Sequence, residues 1–138
     1  MIKAIIKDEE FLTQKSEAVT FEEAQEIITD LLDTAKAHIE MCAGLAAPQI
    51  GVNKKVVVVR TGNTFFPMVN PVVIKKTGKK FVNTEGCLSL EGCRNVVRWS
   101  SVLVGYIDGS GKRQTKTFNG TMAIIIQHET DHLNGVLI

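Results

Sequence analysis

His128 and His132 stand four residues apart near the end of the chain, and Glu129 directly follows the first. In a helix, side chains at that spacing project from one face, one turn above the other. Both imidazoles then point at a single metal ion, and the glutamate between them reaches a water beside it. His-Glu-x-x-His is short enough to arise by chance, so its surroundings decide its meaning. The six residues after His132 contain no Glu or His. A third protein ligand is therefore expected from upstream, where Cys42, Cys87 and Cys93 stand among a scatter of carboxylates.

Cys87 lies in Asn83-Thr84-Glu85-Gly86-Cys87-Leu88-Ser89-Leu90, a bend of glycine and small polar residues where a thiolate can be presented inward. Cys42, at the end of a helical pattern, reads as a small buried apolar residue. Cys93, in Glu91-Gly92-Cys93-Arg94, is open between an exposed and a structural role. Spacing prefers Cys87 without excluding the others.

The elements that must position these groups come next. Met122, Ile124, Ile125, Ile126 and Leu133 make the segment around the histidines largely apolar. A helix is expected from about Asn119-Gly120-Thr121, with Asn119 or Thr121 as cap, to Asn134-Gly135. A helix so apolar enters the core and carries two imidazoles and a carboxylate with it. Left unpaired they are costly to bury, and a metal ion is one partner that all three share.

Near the start, Thr20-Phe21-Glu22-Glu23 has the form of a capping box. Behind it Phe21, Ala24, Ile27, Ile28, Leu31, Leu32 and Ala35 recur at helical spacing, which predicts a long N-terminal helix over 21–41. His38, near its end, reads as a surface residue or one stabilised by the helix dipole. The loop Ala43-Gly44-Leu45-Ala46-Ala47-Pro48-Gln49-Ile50-Gly51 holds one polar side chain among small neighbours. Either Gln49 satisfies local backbone groups, or Gly44 admits a substrate to the backbone while the Gln49 amide faces a developing oxyanion.

Val56 to Val59 reads as a buried strand, and Phe65 to Asn70 and Val72 to Lys76 as strand pieces broken at Asn70-Pro71. Thr77-Gly78-Lys79-Lys80 is expected to turn the chain, leaving Lys75, Lys76, Lys79 and Lys80 at a solvated tip. Arg94 to Trp99 and Val102 to Asp108 follow, then a hairpin turn at Asp108-Gly109-Ser110-Gly111 and a return strand over Lys112 to Phe118. Strands crowded between two helices predict an α+β fold. Antiparallel β-sheets would pack around the C-terminal metal-binding helix, in place of βαβ units.

A chain of 138 residues is expected to form one domain, 1–138. Its 44% hydrophobic and 22% charged residues are ordinary for a soluble protein. A net charge of +1 gives no electrostatic footprint for nucleic acid. The N-terminus lacks the apolar core of a signal peptide, and no run has the length of a membrane span. Three cysteines, an odd number, argue against a disulfide framework. The expectation is a cytoplasmic protein with free thiols and neither a nucleic-acid nor a membrane partner.

Three stretches taken together are more specific than any alone. Gly44-Leu45-Ala46-Ala47-Pro48-Gln49, Glu85-Gly86-Cys87-Leu88-Ser89 and Gln127-His128-Glu129-Thr130-Asp131-His132-Leu133-Asn134-Gly135 resemble, in order, the motifs of the peptide deformylase family. The resemblance implies a metal-dependent hydrolase that removes the formyl group from the N-terminal formyl-methionine of newly synthesised proteins, releasing formate. It implies Cys87, His128 and His132 as ligands of one divalent ion, normally ferrous iron, with zinc, nickel or cobalt able to take the same ligands. Glu129 would move the proton, and the Gln49 side chain and Leu88 backbone N–H would stabilise the oxyanion. The nascent chain would run past Gly44 and Gly86.

Arg94 matches a position where the family carries an arginine near the peptide cleft; the alternative is that Arg94 and Arg98 are exposed strand residues. Ile124 and Ile125, one turn before His128, can line a methionine pocket or simply pack the core. Asp131, offset from the two histidines, is expected to orient a neighbour. Two departures stand out: Cys42 replaces a second glycine of the first motif, and the C-terminal extension of many bacterial members is missing. The competing readings are another metal-dependent amide or peptide hydrolase, and a non-catalytic metal-binding relative. Glu129 and Gln49 weigh against the second.

Overall fold

In the computed structural model, which describes residues 1–138, Thr20 opens the main N-terminal helix as its capping pattern predicts. Its Oγ1 accepts the Glu23 backbone N–H at 3.2 Å. This helix, α2 (Phe21–Ala37), follows a single turn, α1 (Glu9–Leu12). A long helix reaching residue 41 is not found: the helices have 4, 17 and 14 residues. His38 closes α2 with its Nδ1 3.0 Å from the Thr34 carbonyl, and Arg60 Nη1 donates to the Ile39 carbonyl at 2.6 Å. Those bonds satisfy carbonyls at the helix end, so the chain turns back toward the sheet there.

The strands are β1 (Gly44–Ala46), β2 (Val56–Thr61), β3 (Thr64–Gly86), β4 (Cys93–Ile107) and β5 (Arg113–Asn119). They form one antiparallel sheet in the order β1-β2-β3-β4-β5, not several sheets. A 3₁₀ turn, Ala47–Ile50, follows β1, and α3 (Gly120–Leu133) closes the fold. The α+β class and the C-terminal helix are as expected.

The break expected at Asn70-Pro71 and the turn expected at Thr77–Lys80 are both irregularities inside β3. Its register with β4 shifts between Val69 and Val72, between Val73 and Lys75, and between Thr77 and Lys80. Gly78, at φ +79°, takes the left-handed conformation that such a bulge requires, and Ser100 Oγ accepts the Lys79 N–H at 2.7 Å. The four lysines therefore lie along a ribbon, not at a hairpin tip.

The sheet is covered on both sides. Val56 and Val58 face Ala24, Ile28, Leu31 and Ala35 of α2, while Val57 and Val59 face Ala123, Ile126 and Leu133 of α3. A strand buried on both faces reads as a continuous apolar run without alternation. No helix is long and apolar enough to cross a membrane.

Asn70 ties the N-terminal arm to this sheet. It is the one non-glycine residue at positive φ, 50°. Its Oδ1 accepts the Val19 N–H at 3.0 Å and its Nδ2 donates to the Val19 carbonyl at 2.7 Å, as a paired strand would. Asn70→Ala removes both bonds and puts alanine, which tolerates the left-handed conformation less well than asparagine, at this φ. It is expected to lower unfolding free energy by about 2–4 kcal/mol. Urea denaturation checks this, and Asn70→Gly should recover only the backbone part.

Candidate metal centre

Two residues one helical turn apart fix α3 to β4. Gln127 Nε2 donates to the Trp99 carbonyl at 2.8 Å and its Oε1 accepts the Trp99 N–H at 3.0 Å. Asp131 Oδ2 accepts from Arg98 Nη1 at 2.6 Å. His128 and His132 each directly follow one of these clamps, so the same spacing that docks the helix aims the imidazoles.

Arg98 also reaches back to β3. Its Nη2 and Nε bond the two oxygens of Glu85 at 2.7 and 2.9 Å, a bidentate pair. Glu85 Oε1 in turn lies 2.7 Å from His128 Nδ1. A carboxylate there accepts the Nδ1 proton, which leaves the Nε2 lone pair of His128 facing inward. Arg98 is 4% exposed, which rules out the exposed-strand alternative for this residue. Asp131 orients a neighbour, as expected.

His128 Nε2 and His132 Nε2 stand 3.2 Å apart. Cys87, in the bend after β3, brings Sγ to them, and the three donor atoms lie within 4.8 Å of one another. Two nitrogens on one tetrahedral ion, each at about 2.0–2.1 Å, stand about 3.3 Å apart. The pair is thus already at ligand spacing. Glu129 Oε1 and His132 Nδ1 are buried without a protein partner. Thiolate and imidazole donors suit a divalent transition metal, so the residues present fit one.

The electrostatics agree. Burial works against the Cys87 thiolate, but His128 and the backbone N–H groups of Leu90 and Ser89 outweigh it and hold the thiol below its usual value. Burial also opposes a charge on His128, yet Cys87 and Glu85 raise it to about 10. Burial and the neighbouring His128 push His132 down to about 3. Cys87 and Glu85 thus draw positive charge to His128, where a bound cation would take the place of the proton on Nε2, and His132 stays neutral beside it. Burial pushes Glu129 up to about 7.

A cavity of about 250 Å³ opens onto the cluster, lined by Cys87, His128, Glu129, Glu85, Gln49, Gly44, Gly86, Leu88, Ile124, Ile125 and residues 41–43. Gln49 is 2% exposed; its Oε1 accepts the Ala46 N–H at 3.0 Å, which turns Nε2 toward Ser89 Oγ at 3.2 Å. Both roles weighed for Gln49 are therefore compatible, since its oxygen serves the backbone and its amide N–H groups remain donors. Gly44 also has a packing role. A β-carbon there would stand 2.8 Å from Glu129 Oε2 and 2.9 Å from Ile125 Cγ2, so the glycine lets β1 press against α3. Cys42 is buried in the wall and Cys93 is exposed. Burial, with the Glu129 charge adding, pushes the Cys42 thiol up to about 12.

Two expected site residues do not line the cavity: His132, buried behind it against His128, and Arg94. Arg94 lies away from the cluster. It is half-buried on β4, and its Nη2 bonds the Glu91 carbonyl at 3.2 Å. Glu85, Arg98 and Gln127 hold the histidine helix in place, yet sequence reasoning gave them no role. A signal for Arg98 existed: the inward period of two through Tyr106, Val104 and Val102 runs back to it.

A buried imidazole pair, a thiol and a glutamate at a cavity open to solvent are the equipment of a metal-dependent hydrolase. The comparisons narrow the class. The family profile described as Polypeptide deformylase matches residues 2–138, and the chain belongs to that family. It is 46% identical over 138 residues to the peptide deformylase of Clostridium beijerinckii, covering 100% of both chains. The crystal structure of a Legionella pneumophila peptide deformylase superposes with a TM-score of 0.88 at 36% identity, over 99% of this chain and 83% of that one. The Synechococcus elongatus enzyme in complex with actinonin gives 0.88 at 34% identity, over 99% and 75%.

Glu85 offers a pH-resolved test. Burial opposes its charge, but bonds from His128, Arg98 and Asn83 prevail and hold its carboxyl down from the ordinary 4.5 to about 2. The stability it contributes is present above the ordinary value and lost as pH falls through the folded one. Glu85→Gln leaves Arg98 short of a buried partner and is expected to cost about 3–5 kcal/mol at pH 7. Urea denaturation should show the gap to wild type closing as pH falls from 4.5 toward 2. Metal affinity, read by chelator competition, should drop about 10- to 100-fold.

Proposed function

We propose that this chain, with residues 1–138 working as one catalytic domain, removes the formyl group from N-terminal formyl-methionine of nascent polypeptides. The observation that carries the reading is one convergence: the donor atoms of Cys87, His128 and His132 meet at a cavity lined by Cys87, His128, an unpartnered Glu129 and Gln49. We assign Cys87, His128 and His132 as ligands. Bound there, a divalent ion, ferrous iron in our reading with zinc, nickel or cobalt as substitutes, would supply Lewis acidity toward the formyl carbonyl and its attacking water.

The chain's own groups do the rest. The formyl oxygen gains charge as water adds to its carbon, and the Gln49 amide and the Leu88 backbone N–H donate to it. Glu129 accepts a proton from that water and passes it to the leaving nitrogen, so the C–N bond breaks to formate and a free α-amine. Ile124 and Ile125 form an apolar wall for the methionine side chain, and Gly44 and Gly86 let the peptide backbone approach. Arg94, off the cavity wall, would meet the chain beyond the methionine. Nascent chains as substrate place the enzyme in the cytoplasm, with no nucleic-acid or membrane partner required.

Formate release from formyl-Met-Ala, set against acetyl-Met-Ala and an unblocked internal peptide, tests the reading. Only the formyl peptide should be processed; cleavage of the other two without it would point to a different amide hydrolase. Glu129→Ala should bind metal normally and lose at least about 100-fold in kcat. Full activity in that variant would remove Glu129 from the chemistry.

A further inference from the structure

β1 is an edge strand, paired with β2 on one side and with no strand on the other. The Ala43 carbonyl accepts the Arg60 N–H at 2.9 Å, which directs its polar group toward β2. Polar groups alternate in direction along a strand, so those of Gly44 and Ala46 face the open side. The Ala46 N–H is met there by Gln49 Oε1 at 3.0 Å. The Gly44 carbonyl is met by Cys42, whose Sγ donates to it at 3.2 Å.

This thiol lines the cavity that holds Cys87 and Glu129, and it is 3% exposed. Independently, Glu129 is 3% exposed in the same cavity and its Oε1 has no protein partner. Gly44 packs directly against that glutamate. The open edge of β1 and the unpartnered carboxylate therefore address the same space. A peptide reacting beside Glu129 has its backbone within reach of the Gly44 carbonyl, and that carbonyl already carries a donor from the chain.

We propose that Cys42 is a specificity-determining residue, whose S–H competes for the Gly44 carbonyl with a backbone N–H of the bound peptide downstream of its methionine. Resting on the deformylase reading, this predicts that the thiol weakens the preference for extended peptides over formyl-methionine alone. An S–H is a weak donor, so an amide N–H displaces it, but with less net gain than at a free carbonyl. A single hydrogen bond corresponds to a change of about two- to tenfold in the preference.

The test uses metal-loaded wild type, Cys42→Ala and Cys42→Ser, and the ratio of kcat/KM for formyl-Met-Ala-Ser to that for formyl-methionine. Only the tripeptide has amide N–H groups downstream of the methionine. Alanine removes the donor, so the ratio should rise about two- to tenfold. Serine supplies a stronger donor, so the ratio should fall below wild type. Side-chain volume acting alone would place serine between alanine and cysteine, and that order overturns the proposal, as does an equal ratio in all three. If wild type releases formate from neither substrate, the deformylase reading fails, and the proposal with it. A second measurement needs no change at Cys42. In metal-loaded Cys93→Ser protein, the infrared S–H stretch of Cys42 should shift toward its free-thiol frequency when Met-Ala-Ser is added. A stationary band with the peptide bound contradicts the competition.

Discussion

Arg98 joins three elements at one buried guanidinium: Glu85 on β3, Asp131 on α3, and its own strand β4. Through Glu85 the same contact reaches His128 Nδ1. Burying such a set is costly in desolvation, and a hydrophobic replacement of equal volume is often no less stable. What the network provides is registry. A rotation of α3 about its axis, or a slip along β4, would separate Arg98 from Asp131 and Gln127 from Trp99 together. The two imidazoles keep their 3.2 Å spacing because the helix that carries them has one way to sit on the sheet.

The rest of the cavity depends on that seating. α3 lies close enough to β1 that Gly44 has no space for a side chain, and this contact places Glu129 against the open edge of the sheet. The 3₁₀ turn after β1 then delivers Gln49, its oxygen spent on Ala46 and its nitrogen turned toward Ser89. Cys87 arrives from the opposite side, at the end of a strand whose partner β4 carries Arg98. Ligands, buried carboxylate and amide donor thus come from three parts of the chain and meet at one wall of α3.

Much of this was legible in the sequence, for physical reasons. A four-residue repeat of histidine on an apolar helix states its geometry outright, and Thr20 states where α2 begins. The composition of its bend favoured Cys87 without excluding Cys42 or Cys93, and only the motif resemblance singled it out. Arg98 and Glu85 were not legible in the same way, because charged residues on a strand look solvated until the fold joins them; the register sets Arg98 opposite Phe81 and Glu85 opposite Arg94, and only the long guanidinium side chain closes the gap. Asn70-Pro71 and Gly78 read as breaks since both favour turns; a long partner strand absorbed them as bulges. The end of α2 was set by Arg60, a residue outside the helix and invisible to its periodicity.

The central claim is that Cys87, His128 and His132 converge on one metal ion, and the first coordination shell of that ion addresses it most directly. X-ray absorption spectroscopy on anaerobically purified, metal-loaded protein should show one sulfur, at about 2.3 Å if the ion is zinc, and two imidazole nitrogens. In Cys87→Ser the sulfur signal should vanish. A shell with no sulfur in the wild type, or a sulfur that persists in the variant, would contradict the convergence.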